Sequence, residues 1–315
     1  MQKRTLPYNI NEKFSTPRTT AKGEQRARVD LIKLETLWLN TGTLCNIECE
    51  NCYIESSPTN DRLLYLTLGE AREFLDEIKR ENLGTKEIAI TGGEPFMNPD
   101  IISMMELILQ RGFKLLVLTN AMKPMQHKYE PLLDLLKRYG DQMILRISVD
   151  HFTQKLHEEE RGKGSWRPMI TGLEWLAAQG FTIDIAGRTR WGEDEAELRN
   201  GFAALFTKYG VKIDAQNPKE LMLFPEMDEK VEVPEITTDC WDILKVHPDS
   251  MMCASSRMVV KRKGQKKPTV LACTLLPYDE EFEIGSTLKE ANTSVYLNHP
   301  HCAKFCVLGG GSCSA

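Results

Sequence analysis

The chain has no uninterrupted apolar run near the roughly 18 residues that a membrane span requires. Its first residues, MQKRTLPYNINEKF, lack the apolar core of an export signal, so a cytoplasmic protein is the expectation. Excess positive charge is missing as well: 40 Lys and Arg face 45 Asp and Glu, for a net charge of −5. That excludes a general attraction to nucleic acid or anionic membranes and leaves only local basic patches. Without export, nine cysteines do not make a disulfide framework, because cytosolic thiols stay reduced. Metal or redox chemistry is then the leading expectation. The last absence is local. In LCNIECENCYI, residues 44–54, Cys45, Cys49 and Cys52 stand in the spacing C-x3-C-x2-C, and no fourth cysteine lies nearby.

With 315 residues the chain can build one large domain and a small appendage. Residues 1–33 are polar and basic, with Arg18, Lys22, Arg26 and Arg28 among them, and read as a mobile or draped arm. Gripping a phosphate-bearing partner is the functional alternative to plain solvation. From 34 to 228, the apolar runs ETLWLNTG, KEIAIT, KLLVLTN, QMILRISV and FTIDIAG, and a last one around 211–223, alternate with helix-period stretches. LTLGEAREFLDEIKREN is the first of these, capped by Thr67, and PDIISMMELILQRG ends against Gly112. Strands separated by helices predict parallel pairing with right-handed crossovers, as an open sheet or a curved barrel. Residues 229–315 change style. SSRMVVKRKGQKKPTVLACTLLP predicts a hairpin around a Lys/Gly turn, and six of the nine cysteines lie in this loop-rich tail.

The three-cysteine loop follows the first strand, and parallel α/β layers place ligands at the C-terminal ends of their strands. Structural zinc takes four ligands, often as two close pairs, so the spacing fits it poorly; a three-ligand catalytic zinc stays open. An iron–sulfur cluster normally has four Cys ligands, and three would leave one iron free. ITGGEP, residues 90–95, ends the second predicted strand. There Gly92 and Gly93 admit a close ligand, Glu94 suits an ammonium group and Pro95 fixes the turn. C-x3-C-x2-C followed by the aromatic Tyr53, with GGEP one βα unit later, resembles the radical S-adenosylmethionine (radical SAM) superfamily over roughly residues 35–225.

The resemblance implies an α/β fold, a partial (β/α)6 TIM-like barrel. It implies a 4Fe–4S cluster on Cys45, Cys49 and Cys52, with the fourth iron chelated by the amino and carboxylate groups of S-adenosylmethionine (SAM). The cofactor is then the missing ligand. Tyr53, Gly92, Gly93, Glu94 and Pro95 would bind SAM, joined by Ser148 and Asp150 from RISVD and by Arg188 from IAGRTR. Helix capping by Asp150 and a surface position for Arg188 are the plainer readings. Asn120, ending the third strand in LTNA, is a weaker member of the set, since Asn is also an ordinary turn residue. The implied chemistry is reductive cleavage of SAM to methionine and a 5′-deoxyadenosyl radical, which takes hydrogen from a substrate carbon. A reductant such as flavodoxin or ferredoxin would supply the electron.

In the tail, Cys253, Cys273, Cys302 and Cys306 read as C-x19-C, a gap of 28 residues, then C-x3-C. This resembles the twitch domain, a shortened SPASM domain, and implies a small C-terminal β-hairpin/loop domain holding an auxiliary 4Fe–4S cluster. Cys240 is left spare, and Cys313 is the alternative to Cys306. A zinc site is the competing reading of these thiols.

Three functions are compatible with these features. The first is an oxidoreductase whose auxiliary cluster accepts an electron from the substrate radical. With no separate leader-binding domain expected ahead of the barrel, a small polar molecule is favoured over a peptide. The second is a non-redox rearrangement or cyclisation with substrate on the auxiliary cluster, and the third a metal- or RNA-binding protein without radical catalysis. Glu193 and Glu226 are acidic positions that would suit a cationic substrate or simple solvation.

Overall fold

The computed structural model describes residues 12–226 and 231–310. The first elements are β1 (Arg28–Val29), β2 (Thr36–Asn40), α1 (Leu68–Arg80), β3 (Glu87–Thr91), α2 (Ile101–Gln110), β4 (Lys114–Thr119), α3 (Lys123–Gln126) and α4 (Tyr129–Tyr139). Then come β5 (Met143–Ser148), α5 (Gln154–Arg161), α6 (Trp166–Gln179), β6 (Thr182–Arg188), α7 (Glu195–Tyr209) and β7 (Leu221–Phe224). The chain continues through α8 (Cys240–Leu244), β8 (Ser256–Val260), β9 (Thr269–Leu271), β10 (Glu283–Gly285) and β11 (Val295–Tyr296).

Strands β2 to β7 lie side by side in chain order, all parallel. Their alternation sorts side chains into two layers. Leu37, Leu39, Ile88 and Ile90 face outward and pack in one core with the helices, while Trp38, Ala89 and Leu116 form a second core on the other face. Thr67 caps α1 as expected, and Glu70 completes a reciprocal capping box. Asp100 leaves its own helix uncapped and instead accepts from Leu68 N at 2.9 Å, joining the starts of α1 and α2.

The expected tail hairpin forms, with β8 antiparallel to β9. It is not a detached unit, however. β8 pairs in parallel with β2, and β10 pairs with β9, so the sheet has nine strands in the order β10-β9-β8-β2-β3-β4-β5-β6-β7. Burial along all of SRMVV gives β8 apolar contacts on both faces, which suits an internal strand beside β2. The two end strands do not pair with each other, so the mostly parallel sheet is a partial barrel extended at its β2 edge. The boundary expected near residue 228 lies outside the described residues.

The described part of the N-terminal arm lies against the tail. β1 pairs antiparallel with β11, and Ala27 and Val29 enter the tail core beside Val233, Ile236 and Val295. Arg26 is fully buried, with Nη2 2.5 Å from Glu235 Oε1, and its other donors reach the carbonyls of Thr16, Thr19 and Leu297. Glu235 also accepts from Phe14 N and Ala21 N. The most buried arginine of a stretch expected to be solvated is therefore structural. Removing one partner of a buried pair strands the other charge, so Glu235→Leu should cost about 3 kcal/mol in urea unfolding. Lys13→Met, at the exposed pair with Glu232, should leave the midpoint unchanged. Equal effects of the two substitutions would refute the buried anchor.

Candidate metal centre

A cavity opens at the C-terminal ends of the parallel strands. The loop after β2 contributes Cys45, Cys49, Cys52 and Tyr53 to its wall, and Gly92 and Gly93 enter after β3. Asn120 follows β4, Ser148 ends β5, Arg188 ends β6, and Arg161 arrives from the end of α5. Chain segments far apart in sequence thus meet where the fold places chemistry.

The cysteine loop is stitched to the glycine pair through backbone. Gly93 N donates to Gly42 O at 2.8 Å and Glu94 N to Leu44 O at 3.1 Å. A Cβ on Gly93 would lie 2.3 Å from Leu44 O, and one on Gly92, whose φ is +146°, would lie 2.6 Å from Gly42 O. Both positions therefore require glycine.

Glu94 and Pro95 stand behind this wall. Glu94 Oε1 accepts from Thr119 Oγ1 at 2.8 Å and Phe96 N at 3.2 Å, and Oε2 accepts from Asn120 N at 2.8 Å. Burial pushes its carboxyl up to about 7, although these hydrogen bonds and the charge of Arg161 pull the other way. Its visible work is to position Asn120, whose Nδ2 reaches Asn46 Oδ1 at 2.9 Å and Cys45 Sγ at 3.9 Å.

Asp150 is likewise buried behind the lining. Its oxygens receive Arg161 Nε at 2.5 Å and Arg188 Nε at 3.2 Å. Burial raises its carboxyl, and the two guanidiniums outweigh this and hold it below the usual carboxylate range. Burial works against the charge of Arg161, but Asp150 keeps it firmly protonated. Burial pushes the Cys45 thiol up to about 12 and Cys49 to about 11, with Arg161 among the groups pulling each down. A nearby metal would reverse that balance and release the protons. Ser56 N also donates to Cys52 Sγ at 3.3 Å, a hydrogen bond of the kind that tunes a cluster-bound sulfur. The donor set of three thiols, the tight glycine cradle and the guanidinium beside them fit a 4Fe–4S cluster with SAM on its open iron.

The sequence profile of the Radical SAM superfamily matches residues 39–195. The chain carries a radical SAM superfamily domain. The bacteriocin biosynthesis protein AlbA of Bacillus subtilis (strain 168), named for antilisterial subtilosin, is 30% identical over 143 residues, which is 45% of this chain and 30% of that protein. The mycofactocin maturase MftC of Mycolicibacterium smegmatis is 26% identical over 172 residues, 54% of this chain and 41% of that protein. The matches thus span well under half of these relatives' own length. In fold, Streptococcus suis SuiB, solved with S-adenosylmethionine bound, superposes with a TM-score of 0.58 at 13% identity, covering 81% of this chain and 63% of that one.

Outside the radical SAM cavity, the tail thiols gather in a second place. Cys302 lies in the tail core, and Cys253, Cys273 and Cys306 pack against it. Burial raises the Cys302 thiol well above its ordinary value, and the nearby thiols of Cys273, Cys306 and Cys253 add to the rise. Cys302 and Cys306 share one short π-type turn, Cys302–Val307. Cys240 packs against the same core, while Cys313 lies outside the described residues. Among the described residues no group of three or more Cys, His, Asp or Glu side chains is arranged around one point where a single metal ion could sit.

Sequence reasoning missed Arg161, Glu160 and Arg190. The first two end α5, a polar helix with few apolar positions to mark it, and the available signal was a basic residue just before Gly162. Arg190 follows β6 and meets Glu160 at 2.5 Å.

The raised thiol values around the radical SAM cavity predict slow chemistry in the metal-free protein. At pH 8, iodoacetamide should modify Cys49 about a hundredfold and Cys45 about a thousandfold more slowly than an exposed thiol, since thiols pushed up to about 11 and about 12 hold about a hundredth and about a thousandth as much thiolate. Peptide mass spectrometry should show their rates still climbing through pH 10. A plateau below pH 9.5 would contradict the burial argument.

Proposed function

We propose that the chain is a radical SAM enzyme with a 4Fe–4S cluster on Cys45, Cys49 and Cys52 and SAM on the iron they leave open. The observation that carries this is the meeting of those three thiols with Gly92, Gly93, Ser148 and Arg161 in one cavity. When bound, the cluster and SAM would supply reductive cleavage to methionine and a 5′-deoxyadenosyl radical that takes hydrogen from a substrate carbon.

The protein's own part is positioning. Gly92 and Gly93 let a ligand approach the backbone, and Arg161, charged and oriented by Asp150, suits the methionine carboxylate. Ser148 offers a hydroxyl at the end of β5 for the ribose or the methionine. An ammonium group beside Glu94 would hold it as the carboxylate, with its proton released to solvent, because a nearby cation counters the burial that raises it. Tyr53, Ile54 and Leu118 line the cavity with rings and hydrocarbon that keep water away from a radical. Arg188 lines the cavity too, but it is committed to Asp150 and to Asn51 O at 3.2 Å, so its part is to brace the wall.

The gathered thiols Cys253, Cys273, Cys302 and Cys306 support a second 4Fe–4S cluster, of twitch or SPASM type, that accepts an electron from the substrate radical. A cytoplasmic one-electron reductant such as flavodoxin or ferredoxin would feed the first cluster. A small polar molecule is the first reading of the substrate. A peptide is the second reading, favoured by relatives named for bacteriocin biosynthesis and mycofactocin maturation.

Anaerobic reconstitution tests both clusters. Wild type should bind about eight irons, and the Cys45→Ala, Cys49→Ala, Cys52→Ala triple variant about four. Only wild type should release 5′-deoxyadenosine with dithionite and SAM. Four irons in wild type and none in the variant would remove the second cluster. A fully loaded, reducible wild type that makes no 5′-deoxyadenosine would remove the enzyme reading.

A further inference from the structure

The part of the cysteine loop between Cys49 and Cys52 is held by one buried side chain that has no place in the motifs. Glu160 is fully buried at the end of α5. Its Oε1 accepts from Asn51 N at 3.0 Å, and its Oε2 from Asn51 Nδ2 at 2.9 Å. Its backbone carbonyl accepts from Glu50 N at 2.8 Å. Three hydrogen bonds therefore run from two adjacent loop residues to this one residue. Its charge is compensated from the opposite side by Arg190 Nη1 at 2.5 Å and Arg188 Nη2 at 3.5 Å.

A buried carboxylate without such partners would be costly, so the arrangement is a built one. The two guanidiniums also reach past Glu160 to the loop itself. Arg188 Nη2 donates to Asn51 O at 3.2 Å, and Arg190 Nη2 sits 3.4 Å from Glu50 Oε2. Arg190 Nε further approaches Glu226, just beyond β7, at 3.8 Å. The next residue along α5, Arg161, pairs with Asp150 and sits close enough to the thiols to pull on Cys45 and Cys49. One helix end thus fixes the height of the loop through Glu160 and the adjacent positive charge through Arg161.

We propose that Glu160 is a positioning residue: by gripping Glu50 and Asn51 it sets where Cys49 and Cys52 stand relative to Arg161, and hence how the metal cluster is held and meets SAM. The SAM half of this statement rests on the radical SAM reading; the loop tether does not. Glu160 touches no reacting atom and acts through the loop.

The test reverses donor and acceptor across the tether. Asn51→Asp sets a carboxylate against Glu160, Asn51→Ala only deletes one hydrogen bond, and Asn51→Asp combined with Glu160→Gln restores a complementary pair. Reconstituted proteins are compared by the rate of iron loss from the first cluster to a chelator, by the SAM-induced change in the reduced cluster's EPR signal, and by KM for SAM against kcat for 5′-deoxyadenosine. Asn51→Asp should speed iron loss and raise the KM for SAM about tenfold, Asn51→Ala about threefold, and the combination should return to within about threefold of wild type. Folding, read by thermal midpoint, should be kept, and Glu159→Gln, a neighbour whose carboxylate among the described residues accepts from Trp191 Nε1 at 3.0 Å, should change nothing. Iron loss and EPR signal in Asn51→Asp that match wild type, or a combination no better than the two changes added together, would overturn the proposal. A wild type that yields no 5′-deoxyadenosine would count against the enzyme reading, and the chelator rates would still decide the tether.

Discussion

The carbonyl of Leu44 lies so close to Gly93 that a single added carbon would stand 2.3 Å from it. That contact, with the hydrogen bonds from Gly93 N to Gly42 O and from Glu94 N to Leu44 O, welds the loop after β2 to the end of β3. Every thiol of the first site hangs from this weld. A loop carrying three ligands and no regular structure would otherwise be costly to hold in one geometry, since each residue fixed loses roughly 1–2 kcal/mol of backbone entropy. The glycines in GGEP thus allow the loop to close on the sheet.

Charge supplies the second set of constraints. Asp150 and Glu160 are both buried, and three guanidiniums, from Arg161, Arg188 and Arg190, answer them. In a low-dielectric interior such a group persists only as a whole, because removing one member strands another. The same environment raises the thiols of Cys45 and Cys49, so a metal bound there would have to release their protons. Glu94 follows the same logic, raised by burial and ready to ionise beside a cation.

The tail is tied to the barrel twice. β8 extends the sheet beside β2, the strand that leads into the three cysteines. Tyr278 then donates to Ile54 O at 2.7 Å and carries Arg62 over its ring, which fastens the segment after Cys273 to the one after Cys52. Two groups of thiols are thereby held in a fixed relation through one sheet and one phenol. From the other side, the arm seals the tail core with Ala27, Val29 and the buried Arg26. Less solvent at those sulfurs is one of the levers that set a cluster's potential.

The alternation of strand and helix and the C-x3-C-x2-C and GGEP segments were legible in the sequence because each is written in local spacing: period two, period 3.6, or residues a few positions apart. Thr67 as a cap belongs to the same class. Burial of charge does not. Asn51 and Glu160 are separated by 109 positions, and Arg26 and Glu235 by 209, so no window of sequence could pair them. For the same reason α5 passed unread and Arg26 looked solvated, and the pairing of Asp150 with Arg161 and of Glu94 with Asn120 went unseen. The sequence by itself determined which chemistry the chain can hold, because thiols, glycines and hydrophobic periods are local facts. Only the tertiary structure decided which charged side chains line the cavity and which hold the others in place, because that depends on residues brought together only by folding.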